Sequence, residues 1–208
     1  MASLDERLEL IATVLLSVAA VGTAWSGYQA SRWNAEQSKA AARGTAARIE
    51  SAKSAGLADS QTQVDVATFT SWVDAFAQDQ TELADFYFKR FRAEFRPAVE
   101  AWVATRPRHN PNAPLTPFAM PQYRLQARAD SDELAATAET WAAKARRNVD
   151  RSTNYVLGVV LFAAVLFFAG MSTKLRTPSL RRALLGMGIV LFAGTVVWLA
   201  TQPVSVAV

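Results

Sequence analysis

Three uninterrupted apolar runs restrict what this chain can fold into. No charged residue occurs between Glu9 and Arg32, and Leu10–Trp25 is almost wholly apolar. A second run, Tyr155–Met171, sits in a stretch without charge from Arg151 to Lys174, and a third covers Ala183–Thr201, ended by Pro203. Roughly 20 apolar residues rising ~1.5 Å each match a hydrocarbon core of ~30 Å. A buried helix of a soluble protein would account for any one run. Three in one chain predict an all-α integral membrane protein, with spans over residues 8–29, 154–173 and 183–202.

Local signals sharpen these boundaries. Trp25, Tyr28 and Trp33 follow the first run, where amphipathic rings favour the water interface. Ser3 and Glu6 have capping-box spacing, which opens a helix at once. Gly22 and Ala24 would satisfy a small-x-small cleavage site. A signal peptide, however, needs a basic leader, and Asp5, Glu6 and Glu9 outweigh Arg7 here. An uncleaved anchor is therefore expected. Thr177-Pro178 reads as an N-cap followed by proline in the first turn, opening the last helix.

The apolar content of 51% is near ordinary usage, so segregation into blocks carries the information rather than the average. A net charge of +4 spread along the chain is not a nucleic-acid footprint. With no cysteine, disulfides, thiolate chemistry and cysteine-ligated metals are excluded.

Residues 30–153 read as an elongated helical bundle outside the membrane. Gly44 is the only interior breaker before Gly56, so the first membrane helix is expected to continue into this region. Ser60 and Gln63 predict a fresh helix start, with Val66, Phe69, Trp72, Val73 and Phe76 on one face. A break at Asp79–Thr81 leads to a third helix carrying Leu83, Tyr87, Phe88, Phe91, Phe95, Val99 and Trp102, kinked by Pro97. Arg106–Pro121 holds five prolines and the single histidine, His109, and reads as a loop. From Gln122 to Leu157 neither Gly nor Pro occurs, and Leu134, Ala138, Trp141, Ala145 and Val149 form a stripe. That predicts a helix running into the second span. One tryptophan per segment (Trp33, Trp72, Trp102, Trp141) suggests four core anchors.

Catalysis is not expected. His109 lies in a solvated Arg-Pro-Arg-His-Asn-Pro setting, and phosphate-loop, dinucleotide, zinc-hydrolase and serine-hydrolase motifs are all missing from the sequence. No cofactor or metal is expected either. The spans hold no charge that would mark an ion path, and three helices are too few to enclose a pore without oligomerising. Small residues Ala19, Thr23 and Gly27, and Gly186 with Gly194, form faces on which helices could approach one another in lipid. The loop at residues 174–182, with Lys174, Arg176, Arg181 and Arg182 and no acid, belongs in the cytoplasm by the positive-inside rule. The N-terminus would then be cytoplasmic and the bundle extracytoplasmic.

The stretch Trp25-Ser-Gly-Tyr-Gln-Ala-Ser-Arg-Trp-Asn, followed by a helical middle and a C-terminal membrane hairpin, resembles small, uncharacterised bacterial inner-membrane proteins. The resemblance implies a bacterial membrane location and no particular activity. The span–bundle–span layout is also similar to chemoreceptor sensory domains, but a further span, not a signalling module, follows here. The expected function is that of a non-enzymatic interaction or assembly protein, in contact with membrane lipid and with a protein partner or further copies of itself. Leu115, Phe118, Met120 and Tyr123 of the proline-rich loop are the expected contact residues. The alternatives are an oligomeric pore or transporter accessory subunit, and a sensor of a small ligand held among the bundle helices.

Overall fold

In the computed structural model, residues 4–175 and 177–205 are described, and they contain helices, turns and no strand. The helices are α1 (Leu4–Ala77), α2 (Thr81–Arg90), α3 (Arg96–Ala104), α4 (Gln126–Lys174) and α5 (Pro178–Ala200), with a 3-10 turn at Pro117–Ala119. Three of them, α1, α4 and α5, are long and apolar enough to cross a membrane. The proposed cap at Ser3 and the basic Arg176 lie outside the described residues.

α1 is unbroken for 74 residues. Gly44, Gly56 and the Ser60–Gln63 pattern do not interrupt it, which corrects the expected new start at Ser60. A capping box caps only when the chain before it leaves the helix, and Ser54–Asp59 is alanine-rich and stays helical. α1 ends where expected. Asp79 takes a left-handed conformation (φ 57°), and the Gln80 amide reaches back to the Ala75 carbonyl at 2.9 Å, closing a Schellman-type stop. The third predicted helix is in fact two. The chain breaks over residues 91–95, and Pro97 sits in the first turn of α3, where its missing N–H costs nothing, so it begins a helix rather than kinking one.

The chain divides into two compact units, residues 1–43 with 140–208, and residues 44–139. Ala30, Trp33 and Tyr155 pack together within the first unit.

Within the first unit, α1 presents a narrow face of mostly small residues. Ala12, Leu15, Ala19, Gly22, Ser26 and Gln29 follow alternating steps of three and four, the spacing that keeps one seam of a helix against its neighbours. Phe162, Val165 and Ala169 of α4 and Leu185 of α5 complete that core. The tightest point is Gly22, where an added Cβ would lie 2.7 Å from the Phe162 ring. A Cβ added at Gly27, Gly186 or Gly194 would meet no atom within 4 Å, whereas Ala19 is buried in this core; the Thr23 hydroxyl donates to the Ala19 carbonyl at 2.8 Å.

Residues after α5 are held by polar side chains from α1 and α4. Trp33 Nε1 and the Tyr155 hydroxyl both donate to the Pro203 carbonyl, at 3.2 and 3.3 Å. Asn154 bonds Gln202 at 2.8 Å, and the buried Gln29 side-chain oxygen accepts the Ser205 amide at 2.9 Å. Ser26, Gln29 and Trp33 are thus the inward members of the tryptophan-rich stretch, while Trp25 and Tyr28 are half exposed.

Gly22→Ala should press a methyl into the Phe162 ring and cost about 1–3 kcal/mol, the usual range for overpacking. Thermal unfolding of the detergent-solubilised protein should show a lower midpoint, restored in part by adding Phe162→Leu. A single variant as stable as wild type would refute the close contact.

Candidate functional site

The second unit is built on aromatic rings. Phe69 of α1 meets Phe95, Trp102 and Phe118 edge-on, with centroids 6.1, 5.4 and 5.8 Å away. Phe95 and Phe118 stack at 5.0 Å, and Tyr123 packs edge-on against both. Such pairs contribute about 0.5–1.5 kcal/mol each beyond the area they bury. Phe118, Met120 and Tyr123, three of the four expected contact residues, are partly buried and pack against this core. The reason is the turn at Pro117–Ala119, which swings the end of the loop back under Phe95. Leu115 alone stands clear, at 94% exposure.

Tryptophan roles also divide. Trp33 and Trp72 are buried, and Trp102 is half-buried, with its indole N–H on the Pro114 carbonyl at 2.6 Å. Trp141 is not a core anchor. Arg43 and Lys144 lie 4.7 and 5.1 Å from its ring centroid, so it serves as a cation platform.

A partly buried ionic cluster ties α1 to the segment after α2. Asp65, fully buried, pairs with Arg92 at 2.8 Å; Arg92 also pairs with Glu94, whose other oxygen accepts the Gln126 amide at 3.1 Å. Tyr123 donates its hydroxyl to the same Asp65 oxygen at 3.2 Å, with Thr62 Oγ1 3.3 Å away. Burial pushes the Asp65 carboxyl above its ordinary range and outweighs the opposing pull of Arg92. The Tyr123 phenol is raised too, chiefly by burial. The sequence gives α1 this aspartate with no hint of its partner, which lies 27 residues on.

The loop after α3 encloses a cleft. Arg106 adopts a left-handed φ of 52° that turns the chain. Asn110 fixes the bend, bonding the Thr105 carbonyl at 3.2 Å and accepting the Asn112 amide at 3.0 Å. Trp102 then pins Pro114. Between this loop, the end of α1 and α3 lies a cavity of about 580 Å³, walled by Trp72, Phe76, Trp102, Val103 and Leu115 and rimmed by Arg106, Arg108 and His109. Arg108 bonds the Phe76 carbonyl at 3.2 Å with its guanidinium 4.3 Å from that ring's centroid. His109 is exposed on the rim, and no group of three or more His, Asp or Glu residues placed to hold a metal occurs among the described residues.

Of the expected topology residues, Lys174 closes α4, while Arg181 and Arg182 open α5, the latter bonding the Pro178 carbonyl at 3.2 Å. Thr177 occupies the N-cap position without a side-chain bond. Comparison with known proteins finds no match: no family model, no curated protein and no solved structure resembles this chain significantly.

The Asp65 shift has a definite sign. Its folded pKa lies above the unfolded one, so between the two the folded form keeps a proton that the unfolded chain has shed. This group's contribution to stability is therefore present at low pH and lost as pH rises through that window. Wild type should gain on Asp65→Asn, in thermal midpoint, as pH is lowered from neutrality toward ~4. A gap that moves the other way, or does not move, would contradict burial as the dominant influence.

Proposed function

We propose that this is a non-enzymatic interaction protein of a bacterial inner membrane, anchored through α1, α4 and α5, whose second unit engages a protein partner or another copy of itself. The observation that carries the reading is Leu115. A leucine exposed over nearly its whole surface, at the lip of an apolar cleft and beside half-exposed Val103 and Phe76, loses free energy in water unless something covers it. The partnered polar groups of the same unit support it as well. Asp65, Arg92, Glu94 and Tyr123 are committed to one another and to the fold, which leaves them poorly disposed to shuttle protons. The basic residues flanking the α4–α5 turn favour a cytoplasmic turn and an extracytoplasmic second unit.

Two measurements test this. The chain has no cysteine, so single cysteines can be introduced at Asn110 and Ser179 and challenged in intact cells with a membrane-impermeant maleimide. Asn110→Cys should label and Ser179→Cys should not; the reverse pattern would invert the orientation. For the contact itself, a photoreactive residue at Leu115 should give a discrete adduct in cell membranes that the exposed Gln63 position does not give. The same adducts from both positions would reject Leu115 as the contact.

A further inference from the structure

The cleft has a chemistry of its own, which the partner reading does not use. Its volume of about 580 Å³ falls in the range of small-molecule sites, ~300–1,000 Å³. Its walls are aromatic and aliphatic. Its ionisable residues are Arg106, Arg108 and His109, and among the described residues that line it there is no Asp or Glu. Asp74 of α1 and Asp79 in the turn after it are not part of the lining. An apolar hole with guanidinium groups at one edge and no carboxylate complements a molecule with a greasy body and an anionic head.

The two arginines are placed differently, and both placements suit that task. Arg108 is held by the Phe76 carbonyl and ring, and Phe76 is itself stacked on Trp72 with centroids 5.1 Å apart. Its charge is therefore fixed over the apolar wall before anything binds, which lowers the ordering cost of binding. Arg106 follows the C-cap of α3 in the left-handed conformation that ends the helix, which places it at the rim of the cleft. Its guanidinium makes no hydrogen bond or ion pair with the described residues, so its planar fork is free to take a carboxylate in two parallel bonds.

We infer that this cleft binds a small hydrophobic carboxylate, its apolar body against Trp72, Phe76, Trp102 and Val103 and its carboxylate on Arg106 and Arg108. The inference does not rest on the protein-partner reading. A ligand here could be bound whether or not Leu115 also meets another chain.

The test uses the full chain in nanodiscs of zwitterionic lipid, titrated calorimetrically with 4-phenylbutanoate and with its neutral analogue 4-phenylbutanamide. Saturable binding of the acid is expected, weaker by about tenfold or more for the amide, as for loss of a charge-assisted hydrogen bond. Arg106→Gln should weaken the acid by a similar factor and leave the amide unchanged. Val103→Trp, which fills the cleft from its wall, should abolish both signals, whereas mere partition into lipid would survive it. Equal affinity for acid and amide would overturn the inference and leave an uncharged groove of the kind a partner's side chain could fill. No saturable binding, or binding of the acid undiminished in Val103→Trp, would overturn it as well. The amide comparison needs no substitution, so the outcome does not depend on any variant folding.

Discussion

When two helices come close along their length, the seam between them has room only for what both backbones leave free. In the first unit that limit is reached at Gly22, where the Phe162 ring occupies the space a side chain would need. Much of the rest of the unit follows from this contact. Ala12 and Ala19 keep α1 near α4 and α5 on the turns before it, and Ser26 and Gln29 stay on the same seam after it. Small side chains bury little area, so the seam gains its strength from contact density and from the polar bonds at its end.

The second unit solves a different problem, that of making a core from short pieces. α2 and α3 have 10 and 9 residues, too few to be stable as isolated helices. They are kept by large rings, Phe91, Phe95 and Trp102, that reach Phe69 and Trp72 of the long helix. The Asp65–Arg92 pair adds direction to this greasy cluster. A pair with one partner buried contributes little net stability, yet breaking it by removing the other is expensive, and it holds Arg92 against α1 beside Phe91 and Phe95.

What the sequence made legible, and what it did not, follows from the range of each interaction. The three long apolar helices were readable because absence of charge over some twenty residues is a local property. The stop at Asp79 was readable for the same reason. Ser60 misled because its spacing matched a cap while the residues before it favoured helix, and pattern alone cannot weigh the two. The split of α2 from α3 was hidden because Pro97 fits a kink and a helix start equally well. Phe118 and Tyr123 looked like loop surface because their partner Phe95 is more than twenty residues away. Gln29 could not be assigned at all, since the amide it accepts belongs to Ser205, 176 positions along the chain. The cleft was half visible: its arginines and prolines stand together in the sequence, but Trp72 and Phe76 join them only through the fold.

The prolines of that loop carry one more consequence. Pro107, Pro111 and Pro114 give the cleft a wall in which every third or fourth residue has no amide hydrogen. A sugar or other neutral polar solute entering it would give up its bonds to water and recover few of them from such a surface. The wall thus sorts by refusal. If the cleft binds a ligand as inferred above, such a wall would disfavour molecules that must be hydrogen-bonded along their length and favour those that need only contact and, at one end, charge.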